Sequence, residues 1–275
     1  MLFSEADLHR VGEALADAAR TEIMPRFGKL AVNQIRQKTS IFDIVTDADE
    51  AAEAAIGADL LAAFPNALIV GEERTHKDSS LLQAAGAGEL VFFVDPIDGT
   101  KNFASNLPLF GVMAAAAIRG EIVAAAIYDP FSRSFAFALR DGGAWMEAED
   151  GQRTPLRVAT PVPVSKMEAM VPTGFLPTTL RRTVLANLPR LGASANLRCA
   201  AHEYRMAAAG YCHVLLYSRL MPWDHAAGWL LHREAGGYSA HFDGTPYAPS
   251  HFEGGLICAP DESSWKAVRT ALLEA

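Results

Sequence analysis

The sequence predicts a mixed α/β (α+β) chain in which helices accompany an antiparallel sheet. Two observations carry this. An apolar run at residues 91–94 is followed by successive hairpins over residues 109–146, implying an antiparallel sheet, and helical periodicity flanks that region on both sides. With 275 residues the chain can bury a substantial core without staples.

Residues 4–24 place Leu8, Val11, Leu15, Ala18 and Ile23 near helical spacing behind a capping Ser4, and read as an amphipathic helix. Residues 41–46 read as a short strand. The segment DADEAAEAAIGADLLAAF then reads as a helix whose first-turn acids suit the macrodipole. Asp49 lies in that turn, where its ordinary role is capping. An EF-hand loop starting at Asp47 fails, because Ala52 stands where the sharp turn needs glycine. Leu68, Ile69 and Val70 form another apolar strand that delivers Glu72 and Glu73. Adjacent acids on a strand face opposite ways, so at most one is a ligand. Residues 74–89 are polar and glycine-rich and read as a mobile surface loop.

Residues 91–103, VFFVDPIDGTKNF, carry the densest chemistry. Val91, Phe92, Phe93 and Val94 read as a strand buried on both faces, ending at Asp95. Pro96 cannot extend a ladder, so the chain is expected to turn at once, with Asp98 and Gly99 in the turn and both carboxylates facing one point. Gly99 permits close backbone approach to a ligand. Thr100 has the composition of an N-cap for a short helix from Lys101, whose amides favour an anion.

Residues 109–118 and 121–128 read as strands joined at Arg119-Gly120, and residues 135–139 and 143–146 continue the meander. Composition turns polar and proline-rich near residue 150, which suggests an N-terminal α+β subdomain over 1–160 and a C-terminal α/β subdomain over 161–275. Residues 178–191 and 200–209 read as helices. His202-Glu203 is no zinc motif, since Met206 stands four places on, and both read as ordinary helix residues. In PWDHAAGWLLHREAGG, Pro222 suits a helix start and Gly236-Gly237 its end. Ala226, Ala227 and Gly228 leave one face thin enough for another element to press on it, and Asp224 lies in the first turn.

Composition narrows the function. A net charge of -8 without a Lys/Arg cluster argues against a nucleic-acid surface. Three cysteines, Cys199, Cys212 and Cys258, have no C-x-x-C spacing and suggest no disulfide framework; a reduced cytoplasm fits. Acids at Glu5 and Asp7 break any signal-peptide core, and no uncharged run reaches a membrane span. An acidic site that binds an anionic ester requires metal to invert its field.

The D-P-I-D-G-T-x-N-F run, the later W-D-x-A-A-G…E-A-G-G block and the G-E-E before them resemble the inositol monophosphatase superfamily of magnesium-dependent, lithium-sensitive phosphomonoesterases. The resemblance implies an α-β-α-β-α sandwich of the inositol monophosphatase and fructose-1,6-bisphosphatase type, in a cytoplasmic homodimer. It implies two or three Mg2+ held by Glu72, Asp95, Asp98, Asp224 and the Ile97 carbonyl, with Asp95 bridging. Thr100, partnered by Asp49, orients a metal-activated water together with Glu72, and the Gly99 and Thr100 amides hold the phosphate. Lys38 falls near the metals. Four of these five ligands lie in the first subdomain; the second supplies Asp224 and the substrate pocket. One departure stands out: Tyr217 occupies the place of a glutamate that contacts inositol hydroxyls in inositol-directed members, so Ala200 and Tyr217 become the pocket residues. Inositol monophosphate is the best substrate reading, with histidinol phosphate, a sugar bisphosphate or a 3'-phosphonucleotide as alternatives on the same chemistry. Asn102 stands where nucleotide-directed members often carry Glu. The D-x-x-D spacing differs from the D-x-D of haloacid-dehalogenase phosphatases. A non-catalytic small-molecule-binding regulatory module would be expected to have lost ligands, and all four acids are present.

Overall fold

The computed structural model describes residues 3–40, 43–86 and 88–274. Helix α1 (Glu5–Ala18) starts at Ser4, whose hydroxyl accepts the Asp7 amide while the Asp7 carboxylate takes the Ser4 amide. Past Ala18 it widens into a π-turn over Ala19–Ile23 instead of running as α-helix to residue 24. Strands β1 (Ile35–Ser40) and β2 (Asp43–Thr46) pair antiparallel; Ile41 and Phe42, where the expected strand begins, lie outside the described residues. Thr46 and Asp49 form a second reciprocal cap on α2 (Asp47–Ala63).

After β3 (Leu68–Gly71), the expected loop over residues 74–89 proves largely helical, as α3 (Glu72–Lys77) and α4 (Ser80–Ala85). The cause is tertiary. The Glu53 carboxylate, 20 residues away, accepts the Glu73 amide and also the Arg74 amide, capping α3 from another element.

Strand β4 (Leu90–Asp98) also departs from expectation, because it does not stop at Pro96. Asp95 pairs with Met113 and Asp98 with Gly111, with a register shift between them, so the proline sits in a bulge where no ladder N–H is needed. Gly99, at φ 90°, caps α5 (Thr100–Ala104), which makes Thr100 the first helical residue rather than the cap. Strands β5 (Gly111–Ile118) and β6 (Glu121–Asp129) meet at Arg119 (φ 52°) and Gly120 (φ 81°), the two positive-φ positions of a type I′ turn. With β7 (Ser134–Leu139), β8 (Gly143–Glu147) and β9 (Arg153–Pro155) they complete a sheet of seven strands in chain order, antiparallel except for β3 and β4.

A second sheet contains β10 (Glu168–Met170), β11 (Ala193–Ala195), β12 (Val214–Tyr217), β13 (Tyr238–His241) and β14 (Leu256–Ala259), in the order β11-β10-β12-β14-β13. Around it lie α6 (Thr178–Asn187), α7 (Ala200–Ala208), α8 (Pro222–Glu234) and α9 (Glu262–Leu273).

Strand alternation builds the layers. Phe92, Val94, Val112 and Ala114 face Leu8, Leu15 and Ile56 of α1 and α2, whereas Val91, Phe93, Met113 and Ala115 face Tyr204 and Leu230 of α7 and α8. The other side of α7 and α8 meets Met170, Leu215 and Cys258 of the second sheet. That sheet's far face carries Ala169, Val214 and Ile257 against Val184 and Val268 of α6 and α9. The result is an α-β-α-β-α sandwich in which one apolar core crosses residue 160 through the α7–α8 layer.

The thin face expected on α8 is where α7 presses. A Cβ at Gly228 would run into the Tyr204 ring, which is fully buried. Gly228→Ala is therefore expected to destabilise the protein by about 1–3 kcal/mol, the size of an overpacking penalty, read as a lower denaturation midpoint.

Candidate active site

Topology gathers the acids. Strands β3 and β4 are parallel with Gly71 opposite Val94, so the chain leaving β3 presents Glu72 beside Asp95. Asp95 shares the face of Val91 and Phe93, the one covered by α8, and α8 carries Asp224 in its first turn. One carboxylate oxygen each from Glu72, Asp95 and Asp224 lie within 4.8 Å of one another. These residues line a cavity of about 380 Å³ together with Ile97, Asp98, Gly99, Thr100, Ala200 and Tyr217.

The electrostatics are those of buried acids crowded by one another. Burial, then the charges of Glu72, Asp98 and Asp224, push the Asp95 carboxyl well above the usual range. Asp224 rises for the same reasons, burial first and then Glu72 and Asp98, against a lowering pull from Arg219. Asp98 is raised to about 6 by burial, although the Ala201 amide and the Cys199 thiol hydrogen-bond to it. Its Oδ2 accepts the Ala201 N–H at 2.5 Å and the Cys199 Sγ at 3.1 Å, which ties it to the start of α7. Asp98 therefore stands beside the tight trio rather than in it.

Lys38 lies behind the trio. Its Nζ donates to Glu72 Oε1 at 2.7 Å and to Glu73 Oε1 at 2.6 Å. Burial alone would lower its ammonium, but the Glu72 and Glu73 charges outweigh that and raise it. Glu73 is lifted to about 8 by burial and by Glu72. The two glutamates do not sit on a strand with opposite faces, as expected, but in the first turn of α3, where both meet Lys38; Glu72 lines the cavity and Glu73 is buried.

The Thr100 hydroxyl lies 3.0 Å from Asp49 Oδ1 and 3.0 Å from the Ile97 carbonyl oxygen. It can donate to one at a time, and its lone pairs stay free to accept. Asp49 is fully buried, and burial raises it to about 6. It holds two positions at once, capping α2 through Thr46 and receiving Thr100 from across the sheet. Ile97 is buried in the bulge, with its carbonyl at the cavity.

Several cavity residues escaped the sequence reading, namely Phe175, Arg198, Cys199, Glu203, Ser218, Arg219 and His225. Glu203, expected as an ordinary helix residue, is buried in the cavity wall, where its Oε2 accepts the Tyr217 hydroxyl at 2.7 Å and its Oε1 the Leu197 N–H at 2.9 Å. Burial lifts it to about 7. No linear spacing links an acid on α7 to a tyrosine on β12, so the sequence held no signal for this pair. His225 is pushed down to about 4 by burial and is neutral. Its Nε2 lies 2.9 Å from the Arg219 carbonyl and its Nδ1 3.1 Å from the Tyr204 hydroxyl, which makes Nε2 the donor.

Over residues 5–275 the chain matches the inositol monophosphatase family. It is similar to the Nus factor SuhB of Pseudomonas aeruginosa, at 32% identity over 259 residues covering 90% of this chain and 88% of that one. It is also similar to the inositol-1-monophosphatase of Rhizobium meliloti, at 32% identity over 252 residues, again 90% of this chain and 88% of that one. The crystal structure of the extragenic suppressor protein suhB from Bartonella henselae matches with a TM-score of 0.81 and 27% identity, covering 98% of this chain and 100% of that one. No helix among the described residues is long and apolar enough to cross a membrane. The sandwich, the acid-lined cavity and these likenesses agree: the chain belongs to the inositol monophosphatase family.

Proposed function

We propose that the chain is a magnesium-dependent phosphatase that hydrolyses a small phosphomonoester, with inositol monophosphate the leading substrate and histidinol phosphate, a sugar bisphosphate or a 3'-phosphonucleotide the alternatives. One observation carries the reading: three carboxylates within 4.8 Å of one another share a cavity with the Thr100–Asp49 hydrogen bond. The donor set fits the metal. Carboxylates and one carbonyl are hard oxygen ligands, and buried carboxyls raised by neighbouring acids are the state a divalent ion relieves. Glu72, Asp95, Asp98, Asp224 and the Ile97 carbonyl would hold it, with Lys38 fixing Glu72 through Oε1.

Bound there, magnesium would supply positive charge to the phosphate and lower the pKa of water. The chain's own groups do the rest. Asp49 takes the Thr100 proton, so the Thr100 oxygen accepts from the attacking water and aims it along the line of the scissile bond. The Gly99 and Thr100 amides hold the phosphate, and Ala200, Tyr217 and Asp98 face the leaving group. In this scheme residues 1–160 provide most ligands and residues 161–275 provide Asp224 and the pocket. Lithium inhibition, homodimeric assembly and a cytoplasmic location belong to the same reading.

The second reading is a non-catalytic small-molecule-binding regulatory module, and relatives named Nus factor keep a role other than hydrolysis in view. The complete acid set favours hydrolysis, and one assay separates the two. Phosphate release is measured over inositol monophosphate, sugar phosphates, histidinol phosphate and nucleotides, with and without Mg2+ and with Li+. Magnesium-dependent release is expected, and Thr100→Ala should lower kcat by about 10²-fold with little change in KM. No release from any ester in Mg2+ would overturn the phosphatase reading.

A further inference from the structure

The stretch of cavity wall that holds Tyr217 and Ser218 has a polarity that its residue names do not suggest. Tyr217 and Ser218 both line it with hydroxyls, which ordinarily donate and accept alike. In this wall each proton is engaged elsewhere. The Tyr217 hydroxyl donates to Glu203 Oε2 at 2.7 Å, and the Ser218 hydroxyl donates to the Phe175 carbonyl at 2.9 Å. What each hydroxyl has left to offer is lone pairs. Glu203 cannot turn away, because its other oxygen is held by the Leu197 N–H at 2.9 Å and its side chain is 1% exposed. The Tyr217 ring is fixed as well, packed 4.6 Å from the His225 ring and 5.5 Å from Tyr204, between centroids.

We propose that Glu203 is a positioning residue that sets leaving-group preference: by holding the phenolic proton of Tyr217 it leaves the wall an acceptor, selecting phosphomonoesters whose alcohol part is rich in O–H or N–H donors. The inference rests on the phosphatase reading above and narrows its substrate class. A leaving group that offers only acceptors, such as a carboxylate, would meet unpaired lone pairs on a desolvated wall, the arrangement that discriminates most strongly in binding pockets. The rival anchor is a pair of exposed guanidiniums, Arg198 and Arg219, on the same cavity, which would favour a second anionic group.

Exchange of one atom in Glu203 separates these. In Glu203→Gln the amide oxygen keeps the Leu197 N–H, which turns the amide nitrogen to Tyr217. The phenol then accepts from it, and its own proton faces the cavity. Acceptor becomes donor with the shape unchanged. Tyr217→Phe removes the group altogether.

The test is steady-state hydrolysis by the full chain in Mg2+ of inositol monophosphate, rich in donors, phosphoglycolate, whose carboxylate only accepts, and p-nitrophenyl phosphate, which has no donor on its ring. It is run at about pH 8, above the value near 7 of Glu203, so that the carboxylate is ionised. Wild type is expected to favour inositol monophosphate over phosphoglycolate in kcat/KM. Glu203→Gln should reduce that ratio about tenfold or more, through KM, with phosphoglycolate gaining in absolute terms. Tyr217→Phe should lower inositol monophosphate relative to p-nitrophenyl phosphate without any gain for phosphoglycolate. A ratio unmoved by either variant, or equal losses on all three esters carried by kcat, would overturn the role of Glu203. A wild type that prefers phosphoglycolate would overturn it too, in favour of the arginines. A wild type inert on these three esters and on the whole panel above would instead contradict the phosphatase reading itself.

Discussion

Asp95→Asn is expected to lower kcat/KM by more than about 10²-fold while raising the stability of the metal-free protein, two effects that ordinary core mutations do not combine. The first follows from a carboxylate oxygen of Asp95 lying within 4.8 Å of one each from Glu72 and Asp224, in the cavity where the phosphate would be met. The second follows from burial among Glu72, Asp98 and Asp224, which makes the ionised carboxylate costly. Asparagine keeps an oxygen for the Ile97 amide, 3.0 Å away in the wild type, and brings an N–H₂ to the neighbouring acids. Relief of an uncompensated buried charge is worth about 1–3 kcal/mol, read in denaturant without metal. Lower stability of the metal-free variant, or near-wild-type turnover, would remove Asp95 from the metal-holding role.

Metal-free protein is expected to lose stability as pH rises from about 4 to about 8, and Mg2+ to restore it most strongly at the upper end. Asp49 and Asp98 ordinarily titrate at 3.8 but stand at about 6 in the folded chain. Each folded group keeps a proton that the unfolded chain has released, so its contribution is complete below 3.8 and is lost as pH passes through about 6. Glu203 and Glu73, at about 7 and about 8, extend the loss upward. The buried His225 and His232, lowered from 6.5 to about 4, oppose the loss below about 6.5, and the raised acids outnumber them, leaving a summed change on the order of a few kcal/mol. Magnesium competes with those protons, so its stabilising effect should grow over the same range, whereas most proteins lose little stability towards pH ~8. Melting temperatures recorded in chelator and in Mg2+ across this range check it. A metal-free curve that rises with pH would contradict the account.

How much of this is legible in the sequence depends on whether the signal is local. Residues 91–94 declare a strand buried on both faces, and β4 sends Phe92 and Phe93 into different cores. The Arg119-Gly120 hairpin is equally plain, because positive φ at two adjacent positions is a property of the turn itself. Pro96 misleads, since the rule that proline ends a ladder has an exception at a bulge, and a bulge requires knowledge of the partner strand. The helices α3 and α4 read as loop because the cap on α3 comes from Glu53. Strands β10 to β14, three or four residues each, lack the length to show a period. At the site, Glu72, Asp95, Asp98 and Asp224 can be named from motifs, but their convergence depends on the parallel register of β3 with β4 and on the packing of α8. The Glu203–Tyr217 contact joins two elements 14 residues apart through tertiary packing alone, and no motif could announce it.

The most direct test of the metal-holding claim is a crystal structure grown in Mn2+ and measured at the manganese absorption edge. The account predicts anomalous density between the carboxylates of Glu72, Asp95 and Asp224, lost in Asp95→Asn. Crystals saturated with Mn2+ that show no anomalous peak among those three side chains would contradict it.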